Sequence, residues 1–355
     1  SSIIYGTIDP ALYKNSQRDT FAHRRPELYG DLTFKRAPID TFANLQPHDV
    51  TAHAVQYPIV PGDLDTNITT ANALVDQVEG KQVADSLMVF PAFSFTGVPA
   101  SADQANEWAE TETGRTTQAL TNFAVRSQCH VVGSHVERDG DQLFHSVILL
   151  DPSGKIIGRY RQTHLDESMT KWATPGDDIP VFTTEIGRVG LLACADVRFP
   201  EAAGVLEVGR ADIIAIPSAW DGSYGGWLQE PKGLFTNPYA DNTMVFWYAI
   251  AKNMQAFTVV ANPVGDGYRG SSGIFTTVPV TGTADTVGSV DNAEVVTASF
   301  TTLGTPDMWI NQQILIDMRR ADLVVPLALP TDSAAFTKWH DTPGFDIEAW
   351  AAYQQ

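Results

Sequence analysis

The chain has 355 residues, 43% of them hydrophobic, enough to bury a sizeable core in one large domain or two small ones and too apolar for a disordered chain. Forty-two acidic residues against 23 basic ones give a formal charge of −19, which repels nucleic acid and anionic lipid and argues against both as partners. The acids are scattered rather than blocked, so they read as a solvated surface, with a salt-rich habitat as the alternative.

Two cysteines, Cys129 and Cys194, are too few for a disulfide framework and sit in no zinc-like spacing. No metal or cofactor is expected, and cytosol is the favoured compartment. No apolar run approaches the roughly 20 residues that cross a bilayer, and no signal-like segment opens the chain. The expectation is a soluble protein. A start at Ser-Ser-Ile-Ile instead of Met reads as a processed, trimmed or partial chain.

In chain order, Asp49 to Ala54 alternates polar and apolar residues, predicting a strand that runs toward Tyr57 before a turn from Pro58 to Asp65. A helix follows, capped by Asn67 or Thr69, with an apolar stripe through Ala71, Ala73, Leu74, Val75 and Val78 before a break near Gly80. Ser86 to Phe90 is a short apolar run suited to a strand buried on both faces. Glu107 to Ser127 reads as one helix, His130 to Val136, Phe144 to Leu150 and Ile156 to Tyr160 as strands, with Asp151 to Gly154 as the turn before the third. Arg188 to Ala193 is another buried strand, running directly into Cys194 and a helix from about Pro200 to Gly209. Strands at Asp212 to Ile216 and Phe257 to Ala261 flank a helix from Asn242 to Gln255. The alternation predicts an α/β layered fold with a mixed sheet.

Three strings carry a resemblance. They are Val89-Phe90-Pro91-Ala92-Phe93-Ser94-Phe95-Thr96-Gly97, Tyr160-Arg161-Gln162-Thr163-His164-Leu165, and Cys194-Ala195-Asp196-Val197-Arg198-Phe199-Pro200-Glu201. In order and spacing they resemble the nitrilase superfamily of carbon–nitrogen hydrolases. Supporting matches follow at Gly187 to Gly190, Ala211-Asp212, Pro217 to Trp220, Asn253, Asn262 to Gly265 and Gly270 to Ser272. The resemblance implies an α-β-β-α sandwich that pairs through helices beside the cysteine. It also implies a cysteine nucleophile at Cys194, a general-base Glu where Ala92 stands and an oxyanion-stabilising Lys where Gln162 stands. This chain keeps the attacker alone.

A thiol ordinarily titrates near about 8.5, so Cys194 needs a base or a cation, or the amides of a helix start, to attack efficiently. Losing a general base costs roughly a hundred- to ten-thousand-fold. Losing an oxyanion donor costs roughly a hundred- to a thousand-fold, and the two losses overlap. Removing both members of a buried Glu–Lys pair leaves no uncompensated charge, so Ala92 with Gln162 fits drift with the fold retained. Glu167 is a candidate for a second family-typical Glu, its alternative being a solvated loop acid. Cys194 reads either as a reactive thiol or as a small buried hydrophobe. His164 is a candidate substitute base, and Trp220 with Tyr224 candidate walls of a substrate pocket. Cys129 reads as core. His130 and His135 face opposite sides of one strand, and His145 stands where the family tends to carry Asn.

Near the two ends the sequence repeats itself. Arg24-Arg25-Pro26-Glu27-Leu28-Tyr29-Gly30-Asp31-Leu32 matches Arg319-Arg320-Ala321-Asp322-Leu323-Val324-Val325-Pro326-Leu327 without gaps at both arginines and both leucines. The offset, 319 minus 24, is 295 residues, one domain of this family, which suggests duplication. Residues 1–47 then resemble the closing segment of a preceding nitrilase-like domain, 48–330 form a complete one and 331–355 a tail. A chance match with a loosely docked arm is the alternative.

The expectation is a degenerate subunit or domain, catalytically weakened or silent, paired with an active homologous chain. The alternative is a divergent cysteine-dependent amidase or nitrilase acting on a small amide or nitrile. A third reading is a binding pocket for a small amide or carboxylic acid.

Overall fold

The computed structural model describes residues 23–33, 46–78, 85–222, 243–277, 285–303, 315–316 and 318–329. Two six-stranded sheets make up its centre. The first contains β1 (Asp49–Gln56), β2 (Ser86–Val89), β3 (His130–Asp139), β4 (Gln142–Leu150), β5 (Ile156–Arg161) and, at the far edge beside β1, β14 (Glu294–Thr301). The second contains β6 (Val181–Thr184), β7 (Gly187–Leu191), β8 (Ile213–Pro217), β9 (Phe257–Ala261), β12 (Gly273–Phe275) and β13 (Thr286–Val287). A small hairpin of β10 (Val264–Gly265) and β11 (Tyr268–Arg269) stands apart. Within the first sheet β1, β2 and β3 are parallel, whereas β4, β5 and β14 pair antiparallel. This is the mixed sheet the sequence predicts.

The period of two along each strand sorts side chains between layers. Val50, Ala52 and Ala54, Leu87 and Val89, Val132, and Val147 and Leu149 join the core that also holds β7, β8 and β9 of the second sheet. Their neighbours Val55, Met88, Val131 and Ile148 point the other way, into a second core beneath α1 (Leu64–Val75) and α3 (Arg115–Ser127). On the outer side of the second sheet, α4 (Pro200–Val208) and α5 (Val245–Met254) contribute Ala202, Leu206, Trp247 and Ile250 to the main core. The layers are therefore α-β-β-α.

Two helix expectations need correction. Asp63, not Asn67 or Thr69, caps α1, accepting from the Thr66 N–H at 3.0 Å. Asn67 is instead spent on tertiary contacts, receiving the Val60 N–H and donating to the Val60 and Phe95 carbonyls, all at 2.8 Å. The single helix expected over 107–127 is two, α2 (Ala102–Trp108) and α3. The backbone of Glu110 leaves the helical path to exchange hydrogen bonds with Val136 and Arg138 on β3, and its side chain then accepts the Thr116 N–H in the first turn of α3.

Residues 23–33 are docked. Two short 3-10 turns, Pro26–Leu28 and Gly30–Thr33, lay this arm against α4. Arg24 Nε meets Glu201 Oε1 at 2.9 Å with both side chains buried, and Arg25 donates to the Thr163 carbonyl at 3.0 Å. Leu32 packs over Gly204, where an added Cβ would lie 3.2 Å from Leu32 Cδ2. One turn further along α4, burial raises the Glu207 carboxyl to about 7 despite Arg319 and Arg210 nearby. A carboxyl raised in the folded state is protonated there when the unfolded chain has already ionised, so stability falls as pH rises from about 4.5 to 7. Glu207→Gln is expected to remove that descending component from urea midpoints taken across the window, and an unchanged profile would refute the assignment.

Candidate functional site

The strand β7 leads through Leu192 and Ala193 into Cys194, the first residue of a 3-10 turn, Cys194–Arg198. Cys194 has a φ of 42°, left-handed backbone that costs a non-glycine residue roughly 1–3 kcal/mol and persists where surroundings over-determine it. Asp196 supplies that determination. Its buried carboxylate accepts the Ala193 N–H at 2.9 Å, the His164 N–H at 3.0 Å and the Tyr160 hydroxyl at 2.7 Å. The turn is thereby pinned to the end of β5, and the thiol to a fixed place, 4.0 Å from the Pro217 carbonyl.

The surroundings of the thiol are apolar. Cys194 is 7% exposed and clusters with Ala92, Phe93, Val136, Leu143, Leu165 and Met169. Burial pushes its titration well above the usual thiol range, and the carboxylates of Asp166 and Asp196 push the same way, against a hydrogen bond from the Ala219 backbone. A catalytic cysteine needs the opposite environment.

Ala92 follows β2 and is fully buried, its N–H bonded to the Ser218 carbonyl at 2.9 Å. Gln162 follows β5 and is equally buried. Its Oε1 lies 2.6 Å from His145 Nδ1, and its Nε2 donates to the His164 carbonyl at 2.7 Å. Since the amide oxygen can only accept, Nδ1 of His145 carries the proton, and Nε2 accepts from the Ser134 hydroxyl 2.9 Å away. Ser134 Oγ in turn accepts the Phe93 N–H at 2.9 Å, and the Phe93 ring stacks on His145 at 4.0 Å. This closed chain keeps His145 neutral, and burial drives its titration down to about 4. Where the family's charged pair is expected, the structure has a methyl group and a satisfied amide.

The other candidates separate. His164 does not face the thiol with a free nitrogen: Nδ1 lies 3.0 Å from Asp196 Oδ1, Nε2 lies 2.6 Å from the Tyr29 hydroxyl, and the ring stacks on Phe199 at 4.1 Å. These contacts make it a brace behind the Cys194 turn, with both ring nitrogens engaged. Glu167 is exposed on its loop, in keeping with a solvated acid. Trp220 is 1% exposed and packs edge-on to Trp247 in the main core, so it is core and not a pocket wall. Tyr224 lies outside the described residues. Cys129 is fully buried, in the core under α1 and α3. Asp166, Asp196 and Ser134 were not singled out by the sequence. Asp196 had a legible signal, standing two residues past the cysteine inside the matched string.

Comparison with known proteins agrees with this fold. The family model for carbon–nitrogen hydrolases matches residues 51–319. A nitrilase of Pyrococcus abyssi is 31% identical over 205 residues, 57% of this chain and 70% of that protein. A probable nitrilase of Schizosaccharomyces pombe is 24% identical over 206 residues, again 57% of this chain and 70% of the relative. Among solved structures, a carbon–nitrogen hydrolase from Helicobacter pylori superposes with a TM-score of 0.62 at 19% identity, covering 79% of this chain and 98% of that one. That likeness concerns the fold.

Proposed function

The chain belongs to the carbon–nitrogen hydrolase family, and we propose that within it this is a catalytically silent or strongly weakened subunit or domain that pairs with an active homologous chain. The observation that carries this reading is the apolar burial of Cys194 beside two carboxylates. Ala92 offers no base, Gln162 spends its polar atoms on His145 and the His164 carbonyl, and the nearest carboxylates raise the thiol instead of activating it. The rival reading, a cysteine-dependent hydrolase acting on a small amide or nitrile, draws on the left-handed backbone of Cys194 and the Ala219 backbone bond to its sulfur. Geometry for attack is preserved in that reading; activation is what it lacks.

Alkylation kinetics separate the two. Each unit by which a thiol rises removes about nine-tenths of its remaining thiolate, so iodoacetamide labelling of Cys194 at neutral pH is expected to run at least about a hundredfold slower in the folded chain than in urea-unfolded chain. No hydrolysis of short aliphatic amides or nitriles is expected beside it. Labelling of the folded chain at the rate of an ionised thiol, together with turnover abolished by Cys194→Ala, would replace this reading with the rival.

A further inference from the structure

Each sheet ends in an edge strand on the same side of the sandwich, β5 in the first and β6 in the second. They face each other where a Cβ added to Gly158 would lie 2.8 Å from the Phe182 ring. Toward the start of β3 this gap opens into a cavity of about 630 Å³, a size that admits a small organic molecule. Ile157 and Thr183 flank it, the turn after β4 brings Asp151, the turn after β6 brings Glu185, and His130 lines it from β3. The alternation that sends Val132 between the sheets sends His130 the same way. Val136, which packs with Cys194, lies roughly 20 Å further along β3 at about 3.3 Å per residue, so the cavity is remote from the cysteine turn.

His130 is 2% exposed. Its ring bonds the Ser86 backbone, and its buried Nδ1 has no hydrogen-bond partner among the described residues. The proton therefore sits on Nε2, and Nδ1 presents a lone pair, a buried acceptor that is costly to leave without a donor. Burial lowers the titration of the ring and keeps it neutral, against the pull of the Glu185, Asp151 and Asp85 carboxylates. The charge around the cavity has one sign. Asp151 and Glu185 line it, and no lysine or arginine among the described residues does. No group of three His, Cys, Asp or Glu side chains among the described residues could hold a metal ion, so the cation that suits this site is organic.

We propose that this cavity is a second binding site, for a small organic ligand bearing a primary ammonium group. One ammonium N–H donates to His130 Nδ1, the Asp151 and Glu185 carboxylates balance the charge, and Ile157 packs against the ligand's methylene groups. The site shares no residue with the surroundings of Cys194, so it stands whether or not that thiol is silent.

The test is calorimetric titration of the full chain with putrescine and with n-butylammonium at physiological ionic strength. One saturable site is expected, unchanged by Cys194→Ala. Glu185→Gln, at an exposed position, and His130→Phe, which keeps a ring and removes the lone pair, are each expected to weaken binding at least about tenfold, the size of a hydrogen bond to a charged group. Glu167→Gln, an exposed acid elsewhere on the chain, is expected to change nothing. If His130→Phe fails to fold, Glu185→Gln decides alone. The absence of a one-site isotherm with either amine overturns the proposal. Tetramethylammonium, which has no N–H, binding as tightly, or Glu167→Gln weakening binding as much as Glu185→Gln, also overturns it, because either would mark diffuse attraction to a chain of charge −19.

Discussion

Ala92→Glu alone is expected to destabilise the folded chain by about 3–5 kcal/mol, the cost of a buried charge left without its partner. Ala92 is fully buried and clusters with Phe93, Leu143 and Cys194, and the nearby polar groups are already committed to one another. Burial raises the pKa of an introduced carboxyl, so the penalty is complete at alkaline pH and shrinks as falling pH protonates it. Gln162→Lys alone puts an ammonium where the amide now holds His145 and the His164 carbonyl, and it is expected to destabilise for the same reason. Made together, the two charges compensate, and a double-mutant cycle in urea should show favourable coupling of at least about 1 kcal/mol. Hydrolysis of a simple amide should emerge in the double variant and in neither single one, because a general base alone supplies only about a hundred- to ten-thousand-fold. Strict additivity of the two stability changes would mean that positions 92 and 162 do not form a pair in this fold, and would remove the support they give to a silent site.

The parts of this site that were legible in the sequence are those encoded locally. The cysteine turn is one: an apolar strand, a cysteine, an aspartate two residues on and a proline opening α4 lie within one short stretch. What escaped depends on groups far apart in the chain. Asn67 looks like a helix cap until Phe95 takes its side chain, 28 residues away. His164 looks like a spare base until Asp196 and Tyr29, 32 and 135 residues away, occupy its ring. The edge strand β14 escaped despite a local alternation of Val296, Ala298 and Phe300 with Thr297, Ser299 and Thr301, and its register with β1 sets Asp49 opposite Thr301 and Gln56 opposite Glu294. The echo between the ends is visible as a pattern of arginines and leucines, whereas the contacts of Arg24 with the Leu327 carbonyl and of Arg319 with the Leu32 carbonyl are not.

Acidification is expected to unfold this chain earlier than its carboxylates alone would require. His53, His135 and His145 are all buried, and burial lowers each from its ordinary 6.5 to about 4. In the unfolded chain they take protons near about 6.5, so between that pH and about 4 the unfolded state binds more protons and stability falls as pH falls. Each site contributes on the order of 3 kcal/mol across the full window, at about 1.4 kcal/mol per unit. Glu207, raised to about 7, works in the opposite direction over much of the same range, one carboxyl against three imidazoles. The histidines therefore win, and urea midpoints should fall steeply from pH 7 to about 4.5, with net proton uptake on unfolding. His135 is the cleanest probe, because neither ring nitrogen has a hydrogen-bond partner among the described residues. His135→Phe keeps a ring of similar shape without a site to protonate, so it should leave stability at pH 7 unchanged or improved and remove about one third of the acid-dependent loss. A flat profile in the unsubstituted chain, or a His135→Phe variant as acid-labile as its parent, would show that these rings are not held neutral by the fold.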